Sequence, residues 1–400
     1  MKTGRETLNF RYFCLQALFW GAAVANYAYM TQLLEYKGYS EVEIGILNGV
    51  KLLVGVVFQI WIGDFADRHL HTIPLKHIIA FLSLLSAVLT IAFMFVGHHF
   101  MRMVLLSIGF GIAFTTISPL IDSLSMLYVN HGIFVNYAKG RTGGSIAWAI
   151  LCVLAGIYCD KVNIGSLPVW GAILLIILFA VAVLMPWEGI KEEYFVKNVK
   201  NSNEAKPHSV LYLILNYPKY TLFLIGSAVM FMGYNFGSTF LIDVYTGLGG
   251  NNMHFGIGQF VMAVSEVPAA FLLLCAKKKI PVKWFMLCCA FFMTIKNLVP
   301  VYATNVAQVI GAQACEMLGF GLFYAGSIYY ISELLPEADI VKATTLISVA
   351  TVGAGEGIAS LLCGVIRNHI GLYGLMKIAT LTNAFGTIVM SVMCLMKKKN

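Results

Sequence analysis

Apolar residues run in blocks of about twenty, separated by short polar turns, along the whole chain. Twelve blocks are read, at 9–34, 42–63, 77–96, 103–128, 139–160, 167–186, 219–246, 253–275, 284–302, 306–333, 341–366 and 372–396. Crossing a hydrocarbon core of about 30 Å takes about 20 residues of helix. Backbone amides find no water there, so each block predicts a helix that satisfies its own hydrogen bonds. The pattern therefore predicts an all-α membrane protein of twelve transmembrane helices. The longest polar break divides the blocks six and six, as in two pseudo-symmetric bundles. The expected organisation is an N-terminal bundle over 1–187, a central cytoplasmic loop over 188–218 and a C-terminal bundle over 219–400. The first block is too long for a removable leader and no small-residue processing site follows it, so it is expected to stay as the first span.

Composition agrees with this pattern. Hydrophobic residues make up 59% of the 400 residues and charged ones 12%, against roughly 25% charged in soluble domains. Mean hydropathy is +0.80. The net charge of +8 is distributed unevenly. With the N-terminus inside, nineteen lysines and arginines fall in inward segments, from Lys2, Arg5 and Arg11 through the run Lys277, Lys278, Lys279 to Lys397, Lys398 and Lys399. Only Lys37, Arg102, Lys161 and Arg367 fall in outward ones. This asymmetry predicts a multi-pass protein of the cell (cytoplasmic) membrane with both termini cytoplasmic. It also accounts for the basic balance without nucleic acid.

The nine cysteines sit in or at the ends of spans without metal-type spacing, so neither a disulfide framework nor a bound metal is expected. The nine histidines lie in loops or at span ends. A proton carrier within the membrane must then be a carboxylate.

Seven charged side chains interrupt the apolar blocks: Lys51, Asp122, Arg141, Glu266, Lys296, Glu316 and Glu356. An ionisable group in hydrocarbon costs on the order of 3 kcal/mol or more unless it is paired or lines a wet cavity. Neighbouring antiparallel helices share depth at positions equidistant from their turn. Asp122 and Arg141 are centred on the turn at 131–132, which places them at one level and in reach of each other. Glu266, Lys296, Glu316 and Glu356 are related in the same way through turns near 281, 305 and 336. The set holds four acids and three bases, so one acid is left over. A carboxyl without a counter-ion in a low-dielectric site is able to bind and release protons near neutral pH. The opposite reading, static bolts between helices, stays open for these groups and most of all for Lys296. Lys51 has two candidate partners, Asp122 and Glu356; a pair with the latter would be a gate. Asp243 and Lys377, near outer span ends, are expected to form a rim ion pair or face solvent.

Close-approach glycine pairs (Gly45 and Gly49, Gly140 and Gly144, Gly233 and Gly237) are expected to pack helices tightly. After the second span stand Gly63, Asp67 and Arg68. This Gly-x-x-x-Asp-Arg element resembles the loop signature of the major facilitator superfamily, with Leu70 and Thr72 replacing its later Gly and basic residue. Asp67 is expected to pair with Arg68 or to cap a neighbouring helix. On spans 4 and 5, Pro119 and Asp122 followed by Arg141 and Trp148 resemble the lactose-permease-like branch of that superfamily. That branch comprises oligosaccharide/proton symporters with nucleoside and aromatic-acid relatives. The resemblance implies that Asp122 and Arg141 hold substrate hydroxyls and that Trp148 stacks on a sugar ring; plain helix packing is the other reading of Trp148. Glu266 matches the family's helix 8 glutamate, which joins substrate binding to proton coupling, and Lys296 stands where the family has an arginine. On helix 10, Glu316 replaces a histidine and Gly319 replaces the coupling carboxylate. The proton role then passes to Glu316, Glu356 or Glu266. Ala269 replaces a polar sugar ligand of the lactose carriers.

The expected function is proton-coupled symport of a small hydroxylated solute, a sugar or oligosaccharide first, by alternating access. Substrate would be bound by Asp122, Arg141, Trp148 and Glu266. Proton coupling would fall to Glu266, Glu316 and Glu356 with Lys296, and gating to Lys51, Asp67 and Arg68. Further aromatic and polar candidates near the cavity, Trp20, Asn26, Tyr27, Tyr234, Asn235, Gln259, Asn297 and Gln313, suit sugars, nucleosides and aromatic acids alike. No cofactor beyond the proton gradient is expected, and a functional monomer in the lipid bilayer is. The alternatives are a nucleoside or aromatic-acid/proton symporter and a drug/proton antiporter; Arg141 and Lys51 oppose cationic drugs. Phosphate-cradling loops, paired metal-binding histidines and serine-nucleophile motifs are missing, which argues against an enzyme.

Overall fold

Long apolar helices follow one another with short turns, as a chain forced to bond its own amides in lipid must fold. The computed structural model describes residues 2–70, 72–131, 133, 135–187 and 208–396. Most of the expected central loop, residues 188–207, lies outside the described residues, as do Lys191, Lys197, Lys200, Lys206, Lys397, Lys398 and Lys399. The helices are α1 (Lys2–Ala23), α2 (Met30–Tyr36), α3 (Glu41–Arg68), α4 (Leu75–Phe95), α5 (Phe100–Asn130), α6 (Tyr137–Lys161) and α7 (Leu167–Val183). They continue with α8 (Val210–Asn216), α9 (Pro218–Ser238), α10 (Leu241–Gly247), α11 (Asn252–Ala276), α12 (Val282–Tyr302) and α13 (Val306–Ala312). Last come α14 (Phe320–Leu334), α15 (Glu337–Ser348) and α16 (Ile358–Leu395). No β-strand occurs among the described residues.

Ten helices among the described residues are long and apolar enough to cross a membrane. The tenth, Glu337–Leu395, is 59 residues long and contains Gly371 at φ 73, a left-handed conformation that only glycine adopts without strain. Two helices meet there. The ten do not include α1 and α2, which are separated by a π-helical turn, Val24–Ala28. Twelve crossings require the division at Gly371 and the union of α1 with α2. Large apolar side chains such as Phe81, Phe95, Leu381 and Phe385 are exposed on the helix surfaces. Such exposure suits lipid rather than water.

The chain forms two compact units. The first comprises Met1–Tyr39 with Val50–Glu204, the second Ser40–Gly49 with Ala205–Asn400. The first unit is threaded by an aromatic stack: Phe19 on Phe114 (ring centroids 4.8 Å apart), Phe114 on Phe110 (4.8 Å), and Tyr27 edge-on to Phe114 (5.3 Å). The second has a core of Phe223, Phe231, Phe323, Tyr330, Met286, Met293 and Met390, all buried.

Glycine sets the helix spacing in both units, as expected. A Cβ on Gly111 would lie 2.4 Å from the Lys51 carbonyl oxygen, so α3 and α5 touch backbone to side. A Cβ on Gly233 would lie 2.1 Å from Asn383 Oδ1, and one on Gly364 only 1.9 Å from the Glu41 carbonyl oxygen. Without a hydrophobic drive between helices in lipid, such close van der Waals contact carries much of the association.

Candidate functional site

In the first unit the site is built on one face of α1. Tyr12, Gln16 and Trp20 recur every four residues and so line up along the helix. Gln16 Nε2 donates to Asp122 Oδ1 at 2.8 Å, and the Tyr12 hydroxyl lies 3.4 Å from the same oxygen. Asp122 is half-buried on α5 and lines a cleft of about 400 Å³ with Ser123, Met126, Leu127, Asn130 and Tyr137. That volume falls in the range of small-molecule pockets, roughly 300–1,000 Å³.

Arg141 lies within electrostatic range of Asp122, yet the carboxylate is bonded by Gln16, Tyr12 and Tyr137 instead. The guanidinium rests on the Trp20 ring, 4.6 Å from its centroid. Trp148, two turns beyond Arg141 on α6, meets Trp20 edge to face at 6.0 Å. The sequence expectation of a shared level for Asp122 and Arg141 fits this geometry, but a direct pair does not form among the described contacts. Trp148 is placed at the site's edge, beside the Trp20 indole, which sequence places near the cavity without saying what it touches.

Lys51 is buried on α3. Its ammonium donates to the Asn26 carbonyl oxygen at 3.2 Å and sits 4.7 Å from the Tyr27 ring centroid. Both groups belong to the π-helical turn Val24–Ala28, and π turns concentrate at functional sites. The described contacts of Lys51 are thus with a helix irregularity, a feature that spacing arguments between charges do not reveal.

The second unit gathers the acids. Lys296 Nζ donates to Glu316 Oε2 at 2.6 Å, and both side chains are shut from solvent. Lys296 also lies 4.5 Å from the Tyr234 ring centroid, and Tyr234 stacks on Phe320. Glu316, Glu356 and Glu266 all lie within electrostatic range of Tyr234. Lys296 and Glu316 are thus brought together, as their equal distance from the turn near 305 predicts. Asn297 Nδ2 donates to the Gly233 carbonyl at 2.8 Å, and a cavity of only about 10 Å³ lies among Tyr234, Lys296, Asn297, Pro300 and Gln313. It has no room for more than a water-sized guest.

Two of the three acids, Glu316 and Glu356, sit on broken helix, while Glu266 lies within α11. Glu316 belongs to a 3₁₀ turn, Gln313–Met317, and the helix resumes at Phe320 after Gly319 leaves helical geometry at φ −90, ψ −102. Glu356 lies in a nine-residue π-helical segment, Val349–Gly357. There Gly355 lets the segment approach α9, since a Cβ would come within 2.8 Å of the Ala228 carbonyl oxygen. Glu356 is half-buried, and no cation among the described residues is paired with it. Non-α backbone at membrane depth is tolerated where it is buried in protein or lines a cavity, and π segments concentrate at functional sites. None of the seven charges is exposed.

Other expectations fare differently. Arg68 pairs with Asp64 at 2.8 Å rather than with Asp67, because a helix brings positions four apart together and adjacent ones not. Asp64, Asp67 and Arg68 are all exposed. Asp243 does form a rim ion pair, but with Arg367 instead of Lys377. Arg367 Nε binds Glu41 Oε1 at 2.7 Å as well, and its guanidinium lies 4.2 Å from the Phe240 ring. Sequence reasoning alone misses Gln16, Tyr12 and Arg367; the four-residue recurrence of Tyr12, Gln16 and Trp20 is the signal that marks the first two.

The comparisons accord with this architecture. The MFS_1-like family model matches residues 7–378. The fold is similar to a crystal structure of a point mutant of the nucleoside transporter NupG, with TM-score 0.81, 13% identity, and coverage of 96% of this chain and 99% of that one. It is similar also to a second NupG structure (TM-score 0.77, 13% identity, 98% of this chain and 99% of that one). A bacterial homologue of the human lysosomal transporter Spinster, in an inward-facing and unoccupied conformation, matches at TM-score 0.65 and 13% identity over 99% of this chain and 97% of that one. At such identity the likeness shows the fold. With the family model spanning nearly the whole length, the chain belongs to the MFS_1-like family: it is a major facilitator superfamily transporter, an integral membrane protein and not an enzyme.

Proposed function

We propose that the protein couples proton entry to the import of a small hydroxylated ring solute, a sugar or oligosaccharide first, by alternating access. The observation that carries this reading is the division of charge between the units. The first holds Lys51 and Arg141 against one acid, Asp122; the second holds Glu266, Glu316 and Glu356 against one base, Lys296. Hydrogen-bonding groups for a neutral solute and surplus carboxylates for a proton are thus provided separately. Asp122, Arg141 and Trp148 serve as substrate-binding groups in the first unit, and Glu266 is a substrate-binding candidate of the second.

Glu356 is the proton carrier in this reading. Glu316 is occupied by Lys296, whereas Glu356 stands on a deformable π segment without a cationic partner among the described residues. Lys51 acts as a gating residue through its bond to the π turn of the first span. The cytoplasmic termini, the cell membrane and a working monomer belong to the same proposal.

A nucleoside is the second solute class. NupG is named a nucleoside transporter, and a ribose offers the adjacent hydroxyls that a guanidinium binds in bidentate fashion. Uptake into proteoliposomes with and without an inward proton gradient tests the proposal. Accumulation that follows the gradient supports it, and uptake indifferent to the gradient removes the coupling.

A further inference from the structure

Three buried polar atoms of the first unit have no hydrogen-bond partner among the described residues: Gln16 Oε1, Trp20 Nε1 and Trp148 Nε1. They belong to side chains already joined by geometry. Gln16 holds Asp122, Trp20 carries Arg141, and Trp148 meets Trp20 edge to face. An unsatisfied buried donor or acceptor costs about 1–3 kcal/mol, so three in one cluster around a ring-stacked guanidinium offer bonding capacity to a ligand or to the water it displaces.

The seat for this arrangement is written in the glycines of α6. A Cβ on Gly140 would lie 2.1 Å from the Tyr12 ring, and one on Gly144 would lie 2.3 Å from Trp20 Cδ1. Any larger residue at 144 pushes Trp20 away. The Gly140–Gly144 pair thus holds the two helix-1 rings against α6, in line with Arg141 and Trp148.

We propose that Trp20 is a positioning and specificity residue. Its face keeps the Arg141 guanidinium off Asp122, and its N–H, with that of Trp148, reads the acceptor edge of the solute. Gln16 Oε1 and the Asp122 carboxylate read the donor edge. Two donor N–H groups, a guanidinium and two acceptor oxygens around aromatic walls fit a ring bearing adjacent hydroxyls, since each hydroxyl both donates and accepts. A ribosyl and a pyranosyl ring share that chemistry. The inference rests on the solute class proposed above.

The test uses full-length protein in lipid nanodiscs and proteoliposomes with uridine, 2′-deoxyuridine and lactose as probes. Uridine or lactose uptake by the native chain decides between ribosyl and pyranosyl sources. Trp20→Phe keeps the ring and removes the N–H; it is expected to raise KM about tenfold, as loss of one hydrogen bond near 1.4 kcal/mol does, with the maximal rate retained. Trp20→Leu is expected to raise it further, and Gly144→Ala to act like Trp20→Leu. A purely structural Trp20 would change expression and maximal rate while leaving KM alone, and that outcome overturns the proposal. For the ribosyl source, 2′-deoxyuridine is expected to bind the native chain at least tenfold more weakly than uridine; equal affinity overturns the diol reading without any variant. If the native chain takes up neither uridine nor lactose, the proposed solute class fails and this inference falls with it.

Discussion

Lys296 and Glu316 form a 2.6 Å ion pair in the interior of the second unit, at the point where the tenth span turns into 3₁₀ geometry. Desolvating two charges costs much of what their attraction returns, so a pair of this kind is poor evidence of stability. Removing one partner is another matter. Lys296→Met leaves Glu316 as an uncompensated buried charge and is expected to destabilise the protein by about 3–5 kcal/mol. Glu316→Leu should do the same through Lys296. The double variant is expected to recover most of that loss. Thermal unfolding of the four proteins in one detergent closes the cycle; additive losses would mean that the pair contributes nothing as a unit.

Glu356→Gln separates coupling from transport. The amide keeps the size and hydrogen-bonding capacity of the protonated acid but binds no proton. With Glu356 as the carrier, the variant is expected to exchange labelled for unlabelled solute across the membrane at a rate near that of the native chain. It should lose accumulation driven by an acidic exterior and show exchange that no longer changes as pH rises from mildly acidic to mildly basic. Glu266→Gln and Glu316→Gln serve as comparisons. Retained gradient-driven accumulation in Glu356→Gln would move the proton elsewhere in the acid group.

Arg367 binds Glu41 and Asp243 from a position on α16 that also presents Gly364 to the Glu41 carbonyl. Residues 40–49, at the start of α3, are thereby fastened within the second unit by one ion-pair cluster and a glycine contact. Arg367→Gln should loosen that fastening. The expected result is faster amide hydrogen exchange over residues 40–49, with little change over 75–95. Because the cluster is partly solvent-exposed, the effect should shrink as salt rises. Unchanged exchange would show that the glycine contact suffices.

The helices were legible because lipid imposes one rule on every span: about twenty apolar residues and no open amides. The charged layer was legible for a related reason. Charges at membrane depth are few, so Lys296 and Glu316 could be matched by their distance from a shared turn. Backbone departures were harder to read. At the π segment of Glu356, Gly355 lets α9 come close, and the pattern of apolar residues alone does not distinguish a π from an α turn. The Asp122 and Arg141 relationship was half legible. Depth placed them together, but partner choice depends on which rings and amides fill the space between, and those come from α1. Arg68 pairs with Asp64 and not with Asp67 for a local reason, since Asp64 lies one helical turn from it.

Arginine and lysine are not equivalent at a stacked, bidentate site, which gives a sharp test of the first unit's chemistry at Arg141. The planar guanidinium lies on Trp20 and offers a fork of donors, whereas an ammonium is a strongly hydrated point charge with no planar face to lay on a ring. Arg141→Lys preserves charge, so any electrostatic effect on Asp122 is largely kept. Solute affinity is nevertheless expected to fall by about ten- to a hundredfold, the loss of one to two directed hydrogen bonds at about 1.4 kcal/mol per factor of ten. Asp122→Asn should weaken binding less, because Gln16 and Tyr12 hold that position in both forms. Calorimetric titration of the two variants with the transported solute measures the difference. If Arg141→Lys binds as the native chain does, the guanidinium serves the fold through Trp20 and solute recognition lies elsewhere.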